Sequence, residues 1–367
     1  MRPIVIAAGG TGGHFFPAEA LAAELLARGQ RVALMTDQRS GALNSPVFAG
    51  LEQVVLSGAG IAGRGAARAG RAIIGLMAGA AKARRLLARM DAAAVVGFGG
   101  YPSVAPVIGA RMLQPRPTIV LHEQNAVLGR ANRFLAGGAE ALALSFEATE
   151  RVPESAQTVT TGNPVRPEIA ALAALPYAPP GDVLRLLVLG GSLGARVFSD
   201  VVPDALGRFA GRVSVVQQCR AEDLDRVRAA YTRTGIDAEL ASFFPDIASR
   251  LAAAHLVVAR AGASTVAELA LAGRPSILVP LPGAIDDHQT ANAAALATAG
   301  GAVAIAQRDF SPAVLRDRIG ALLDSPDTLV RAAAAARTQA RPDAASRLAD
   351  LVQALMRQPA HAKDSRR

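Results

Sequence analysis

The sequence contains no tryptophan, a single cysteine and only 4% aromatic residues. One cysteine, Cys219, excludes an intramolecular disulfide and any cysteine-based zinc centre, and makes a reducing compartment the simple reading. Scarce aromatics beside 51% hydrophobic residues, rich in Ala and Leu, argue against an all-β fold and for helices packed on parallel sheets. Long hydrophobic runs are missing too. Met1-Arg2-Pro3 is followed by only five apolar residues before Gly9, too few for the apolar core of a secretion signal. The longest uncharged stretch, residues 92–110, is broken by Gly99, Gly100, Pro102 and Pro106 and is not read as a membrane span. Acid is absent between Glu52 and Asp91, in a chain of net charge +9. That excess points to an anionic partner: phosphates, a membrane surface or nucleic acid.

What is present is a pattern given twice in 367 residues, a length that fits two domains. Residues 3–8 read as a strand, Gly9-Gly10-Thr11-Gly12-Gly13-His14 as a loop, residues 17–28 as an amphipathic helix, and residues 31–35 as the next strand. Residues 185–189, the loop Gly190-Gly191-Ser192-Leu193-Gly194, a helix at 196–209 and a strand at 213–217 repeat that order. Two such openings predict two doubly wound, Rossmann-like α/β domains. Further strands are expected at residues 93–96, 118–121, 256–258 and 276–279. Each ends in a polar or glycine-rich group, where open α/β sheets bind ligands. A loose Ala/Pro stretch at 170–181 follows Gly162-Asn163-Pro164-Val165-Arg166-Pro167. The expected domains are residues 1–163, joined by a returning C-terminal helix at 343–356, and 164–341. Residues 357–367 read as a disordered basic tail.

The first loop offers backbone N–H groups at a helix N-terminus, a natural seat for an oxyanion. It does not fit a dinucleotide fingerprint, because Phe15 falls where a third small residue belongs; Asp37 alone mimics the ribose-binding acid of that motif. His14, at the start of the helix, is either a general base or a histidine that caps the loop. Thr265-Val266-Ala267-Glu268 has the form of a capping box, yet Glu268 could instead accept the hydroxyls of a ribose. Arg166 and Arg260 are candidate phosphate partners. Asp223-Leu224-Asp225 is the sole D-x-D sequence; it lies in a charged helix at 221–231 and reads as solvated face rather than a metal site.

The acid-free interval holds Arg64, Arg68, Arg71, Lys82, Arg84, Arg85 and Arg89. At helical spacing Arg68, Arg71, Lys82, Arg85 and Arg89 share one arc, with Ile73, Met77, Ala80 and Leu87 opposite. Such a helix suits an anionic membrane surface; the plainer alternative is a surface helix whose apolar face meets the sheet. Nucleic acid is disfavoured, because no aromatics interleave the basic residues for base stacking.

Seven motifs, in order, resemble one family. They are Gly9-Gly10-Thr11-Gly12-Gly13-His14-Phe15-Phe16-Pro17, Gly97-Phe98-Gly99-Gly100-Tyr101-Pro102-Ser103, His122-Glu123-Gln124-Asn125, Gly162-Asn163-Pro164-Val165-Arg166, Gly190-Gly191-Ser192-Leu193-Gly194-Ala195-Arg196, the run from Arg260-Ala261-Gly262 to Glu268, and His288-Gln289-Thr290-Ala291-Asn292-Ala293. The resemblance is to the bacterial peptidoglycan glycosyltransferases that make lipid II, the UDP-N-acetylglucosamine–N-acetylmuramyl-(pentapeptide) pyrophosphoryl-undecaprenol N-acetylglucosamine transferases. It implies a GT-B fold, with two doubly wound domains facing a cleft. It also implies inverting transfer of N-acetylglucosamine from UDP-N-acetylglucosamine to the 4-hydroxyl of the muramoyl sugar of lipid I, without metal or cofactor, by a peripheral protein on the cytoplasmic face of the inner membrane.

By the same resemblance Thr11, Gly12, Gly13 and Asn125 face the donor sugar and reacting centre, with His14 the candidate base. Arg166 and Ser192 lie near the donor diphosphate. Arg260 with Ala263, Ser264, Thr265, Val266, Ala267 and Glu268 holds the nucleotide, Glu268 on the ribose. Gln289 contacts the donor, and the backbone of Phe244 reads uracil, at a position where the family often has an aliphatic residue. Two other readings stay open on sequence alone: a UDP-N-acetylglucosamine 2-epimerase, which would act on the donor without an acceptor, and a non-catalytic membrane-surface binder.

Overall fold

The computed structural model describes residues 1–9, 12–37, 45–56, 66–191 and 194–357, and of residues 66–73 the backbone alone. The chain forms two compact units: Met1–Arg166 with the segment from Asp343 onward, and Pro167–Pro342. The division falls three residues beyond the expected 163/164 boundary, so Arg166 belongs to the first unit.

In the first unit the elements run β1 (Ile4–Ala7), α1 (Gly12–Ala27), β2 (Val32–Thr36), β3 (Glu52–Val55), α2 (Ala66–Met90), β4 (Ala94–Gly97), α3 (Gly100–Arg111), β5 (Thr118–Glu123), α4 (Arg130–Leu135), β6 (Ala141–Leu144) and β7 (Thr158–Thr160). All seven strands are parallel, in the order β3-β2-β1-β4-β5-β6-β7. β1 is entirely buried and apolar, as a strand covered on both faces must be. Its side chains alternate between two cores. Ile4 and Ile6 join Leu21, Leu25 and Phe48 on one face, while Val5 and Ala7 join Leu87, Val107 and Leu121 on the other.

The second unit continues with α5 (Pro167–Ala170), β8 (Leu184–Leu189), α6 (Arg196–Leu206), β9 (Val213–Gln218), α7 (Leu224–Thr234), β10 (Asp237–Ala241), α8 (Ile247–Ala253), β11 (Leu256–Ala259), α9 (Ala263–Ala272), β12 (Ser276–Leu278), α10 (His288–Thr298), β13 (Ala302–Ala304), α11 (Pro312–Asp324) and α12 (Asp327–Thr338). Its six parallel strands take the order β10-β9-β8-β11-β12-β13. The chain then returns in α13 (Ala344–Arg357) to the first unit. There Leu348, Ala349 and Val352 enter the core beside Leu21 and Leu25. Arg28, just past the end of α1, fastens the return: it pairs with Glu24 and Asp350 and donates to Gln353 and Ser346.

Several sequence expectations shift. The first helix begins at Gly12, not at residue 17, and carries Pro17 inside it. His14 is therefore a first-turn helical residue rather than part of a loop. β5 runs two residues further than expected, so His122 and Glu123 are strand residues. The expected helix at 196–209 ends at Leu206, followed by a single 3-10 turn. Arg357 closes α13 instead of opening the tail.

Candidate active site

Each sheet reverses its strand order once, between β1 and β4 in the first unit and between β8 and β11 in the second. At such a switch point the connections leave in opposite directions and open a crevice beyond the carboxyl ends of the strands. The first glycine loop follows β1 and the second follows β8. Gly97-Phe98-Gly99-Gly100 follows β4, and Arg260-Ala261-Gly262 follows β11. Both sets of motifs therefore stand at crevices. Gly10, Thr11, Ser192 and Leu193 lie outside the described residues.

In the first crevice the His14 Nδ1–H donates to Gln124 Oε1 at 2.7 Å. The Gln124 amide nitrogen donates to His122 Nδ1 at 2.9 Å and to the His122 carbonyl at 3.0 Å. The His122 Nε2–H in turn donates to the Gly162 carbonyl at 3.0 Å. His122 is wholly enclosed, against the Phe98 ring at 5.2 Å. Burial pulls its pKa down to about 4, against the opposing pull of the Gly162 hydrogen bond. It is thus neutral at physiological pH.

Opposite His14, a Cβ on Gly100 would stand 3.5 Å from His14 Nε2. Gly100 has φ +65°, which suits glycine. The Ser103 hydroxyl lies 2.8 Å from both the Ala7 and the Gly99 carbonyls, joining the start of α3 to the end of β1.

Glu123 is buried and saturated by N–H donors. Its Oε1 accepts from the backbone and side-chain nitrogens of Asn125, each at 3.0 Å. Its Oε2 accepts from Gly129 N at 3.0 Å and Asn132 Nδ2 at 2.9 Å. The carboxylate thereby fixes the Asn125 side chain at the rim of the crevice. Arg166 reaches the same region, its guanidinium over the Phe16 ring, two residues beyond His14. Gly12 also touches that ring: a Cβ there would come within 2.8 Å of it.

In the second crevice Gly190 leaves no room for a side chain, since a Cβ would stand 2.4 Å from Ala195 N. α9 opens at Ala263 with Gly262 as an extended N-cap and no side-chain cap. The capping box expected at Thr265 is absent: Thr265 and Glu268 are both inside the helix, because Gly262 rather than Thr265 leaves the helical conformation. The first N–H groups of α9 thus lack intrahelical acceptors, and the Ser264 hydroxyl is buried there without a protein partner. Arg260 donates to the Val279 and Pro280 carbonyls at 3.0 and 3.2 Å and to Gln307 Oε1 at 2.6 Å. Its guanidinium lies 5.3 Å over Phe198, and desolvation pushes its pKa down. Gln289 Oε1 accepts from Leu281 N at 2.9 Å, which leaves its amide nitrogen to donate. Phe244 is buried beneath Arg250, 4.3 Å from its ring.

Two readings of charge are corrected. In the D-x-D sequence only Asp225 is solvated. Asp223 is buried, held by Arg220 at 2.7 Å and Arg226 at 3.0 Å, and that pairing makes it structural. On α2, Ala80 and Leu87 are buried as expected, with Ala83 beside them. Met77, expected inward, is 54% exposed, and Ile74 is 69% exposed. The outer face thus begins apolar and continues basic through the exposed Lys82, Arg84, Arg85 and Arg89. The side chains of Arg68 and Arg71 lie outside the described residues. Sequence reasoning gave no part to His122, Glu123, Gln124 or Asn132, although a run of four polar residues at the end of a buried strand was a signal that they matter.

Comparison with known proteins gives a consistent result. Residues 4–144 match the glycosyltransferase family 28 N-terminal domain, and residues 185–348 the family 28 C-terminal domain. A Granulibacter bethesdensis protein named UDP-N-acetylglucosamine–N-acetylmuramyl-(pentapeptide) pyrophosphoryl-undecaprenol N-acetylglucosamine transferase is 61% identical over 358 residues, covering 96% of this chain and 93% of its own. One of the same name from Acidiphilium cryptum is 54% identical, with 96% of each chain covered. The crystal structure of Acinetobacter baumannii MurG superposes with a TM-score of 0.78 at 29% identity, covering 96% of this chain and 99% of that one.

Proposed function

We propose a mechanism from the following premise: the chain belongs to glycosyltransferase family 28, and within it to the UDP-N-acetylglucosamine–N-acetylmuramyl-(pentapeptide) pyrophosphoryl-undecaprenol N-acetylglucosamine transferases. It is a GT-B enzyme that moves N-acetylglucosamine from UDP-N-acetylglucosamine to lipid I, forming lipid II for peptidoglycan. Identity of 61% along nearly the whole chain carries this reading over the 2-epimerase and over a non-catalytic membrane binder.

The reaction is a single inverting displacement at the anomeric carbon. The muramoyl 4-hydroxyl gives up its proton as its oxygen bonds to that carbon, and the bond to the diphosphate oxygen breaks with its electron pair leaving on UDP. His14 is the proposed base. It uses Nε2, the nitrogen that faces Gly100, since Nδ1 is engaged by Gln124. Asn125, held by Glu123, orients the donor sugar, with Thr11, Gly12 and Gly13 alongside.

In the second unit the N–H groups at the start of α9, on Ala263, Ser264 and Thr265, receive phosphate, and Val266 and Ala267 continue the helix behind them, the Val266 N–H bonded to the Gly262 carbonyl. Glu268 takes the ribose hydroxyls, Gln289 donates to the donor, and the Phe244 backbone reads uracil. Arg166 and Ser192 meet the diphosphate. Arg260 already spends three N–H groups on Val279, Pro280 and Gln307. Its contribution is positive charge in a half-dry setting and the support of residues 279–280. Charge on departing UDP is balanced by these groups, with no step assigned to a metal.

The acceptor is lipid-linked, so the protein must work at a membrane surface. Among the described residues no helix is long and apolar enough to cross a membrane. The outer face of α2, with Ile74 and Met77 ahead of Lys82, Arg85 and Arg89, suits peripheral contact with anionic lipid on the cytoplasmic side of the inner membrane. One assay tests the whole reading: labelled UDP-N-acetylglucosamine and a short-chain lipid I analogue, with chelator present. A β-linked disaccharide is the expected product. No transfer, or 2-epimer formed from donor alone, refutes the reading.

A further inference from the structure

We infer that Gln124 is a positioning residue that selects the tautomer of His14. The inference rests on the proposed role of His14 as base. The selection follows by elimination along a chain of hydrogen bonds. A backbone carbonyl only accepts, so the Gln124 atom 3.0 Å from the His122 carbonyl is the amide nitrogen. The Gln124 atom 2.7 Å from His14 Nδ1 is then the amide oxygen, which also only accepts. His14 Nδ1 must therefore carry the hydrogen, and in the neutral ring Nε2 keeps its lone pair.

His122 enforces the same orientation from the other side. Its Nε2 faces the Gly162 carbonyl at 3.0 Å and so carries its hydrogen. Its pKa near 4 keeps the ring neutral. Its Nδ1 is consequently an acceptor, satisfied by the Gln124 amide at 2.9 Å. A flipped amide would set oxygen against two acceptors, inside a site where Gln124 and His122 are both fully buried.

The partner is a neutral amide, not a carboxylate. It holds the ring and fixes the proton, yet takes no proton itself when Nε2 receives one from the acceptor hydroxyl. The wrong tautomer would present N–H to that hydroxyl and have no lone pair to accept with.

The test uses the full chain labelled with [15N]histidine. The ring nitrogens of His14 are identified by the loss of their signals in His14→Asn. The resting enzyme should show His14 protonated at Nδ1 and His122 at Nε2. Gln124→Met keeps the volume and removes the hydrogen bonds. It should move His14 to the Nε2–H form or a mixture and lower kcat by about 10²- to 10⁴-fold, with KM for UDP-N-acetylglucosamine within about twofold. Gln124→Glu, whose oxygen can still accept from Nδ1–H, should restore the Nδ1–H form and much of the turnover, with the acid limb of the pH–rate profile moved to higher pH. UDP affinity measured by calorimetry confirms that each variant is folded.

A wild-type His14 protonated at Nε2 overturns the proposal. So does a folded Gln124→Met enzyme with wild-type tautomer and turnover. Full turnover in His14→Ala would instead refute the base assignment, whatever the tautomer.

Discussion

The guanidinium of Arg166 lies 4.9 Å above the ring of Phe16. One residue closes the chain of the first unit before the division at Pro167, and the other stands on the first helix, one turn past Gly12. The ring holds the cation beside the first crevice, where the proposed function has it meet the donor diphosphate. Phe16→Leu keeps an apolar side chain and removes the π face. It should raise KM for UDP-N-acetylglucosamine about 2- to 5-fold, matching a cation–π energy of about 0.5–1 kcal/mol. Steady-state kinetics with a short-chain acceptor checks this, and kcat should change less than KM.

Stability should fall on mild acidification because of His122. Its pKa is near 4 in the folded chain and near the ordinary 6.5 once unfolded. Between those values the unfolded chain binds a proton that the folded chain refuses. The contribution is therefore complete above about pH 6.5 and declines as pH falls toward 4, reaching a loss of about 2 kcal/mol at pH 5. Urea unfolding of the full chain at pH 7.5 and pH 5 measures it. His122→Asn should be less stable at both values and show a smaller difference between them.

The return of α13 should carry more energy in its apolar contacts than in its ion pairs. Leu348 is wholly buried among core residues of α1 and β1. Leu348→Ala should cost about 2–5 kcal/mol. Arg28→Ala should cost under about 1 kcal/mol, because its partner Asp350 is 67% exposed and water screens the pair. Chemical denaturation of both variants decides the ranking.

Membrane contact through α2 predicts a loss that depends on lipid charge. Replacing Lys82, Arg85 and Arg89 together by Ala should weaken binding to vesicles containing anionic lipid by about two orders of magnitude, at about 1 kcal/mol per basic residue. Turnover of a water-soluble acceptor analogue should be unaffected. Cosedimentation with zwitterionic and anionic vesicles separates charge from apolar contact by Ile74 and Met77.

The architecture was largely readable because parallel strands buried on both faces leave short apolar runs, such as Ile4-Val5-Ile6-Ala7, punctuated by glycine. Glycine loops and polar clusters then marked the carboxyl ends. Other features depend on contacts that periodicity does not encode. Pro17 looked like a helix start, but the helix begins at Gly12 and tolerates the proline. Thr265 looked like a cap, yet Gly262, with no side chain to offer, takes that place. Met77 fell on the nominally inward arc, but the helix meets α3 at Ala80 and Ala83, with Leu87 in the core, and the start of its outer face is left bare. The link from His14 to His122 through Gln124 spans 110 positions in the chain at its longest step. Only tertiary structure brings those atoms together.

The first unit is completed by the last helix described. During synthesis, residues 167–342 have all their own strands and helices before α13 emerges to cover Leu21 and Leu25. The second unit can therefore mature while the unit bearing His14 still exposes an oily face. The two units finish folding in the reverse of the order in which they are begun, and a nascent chain stalled before residue 344 should attract chaperones at its beginning rather than at its end.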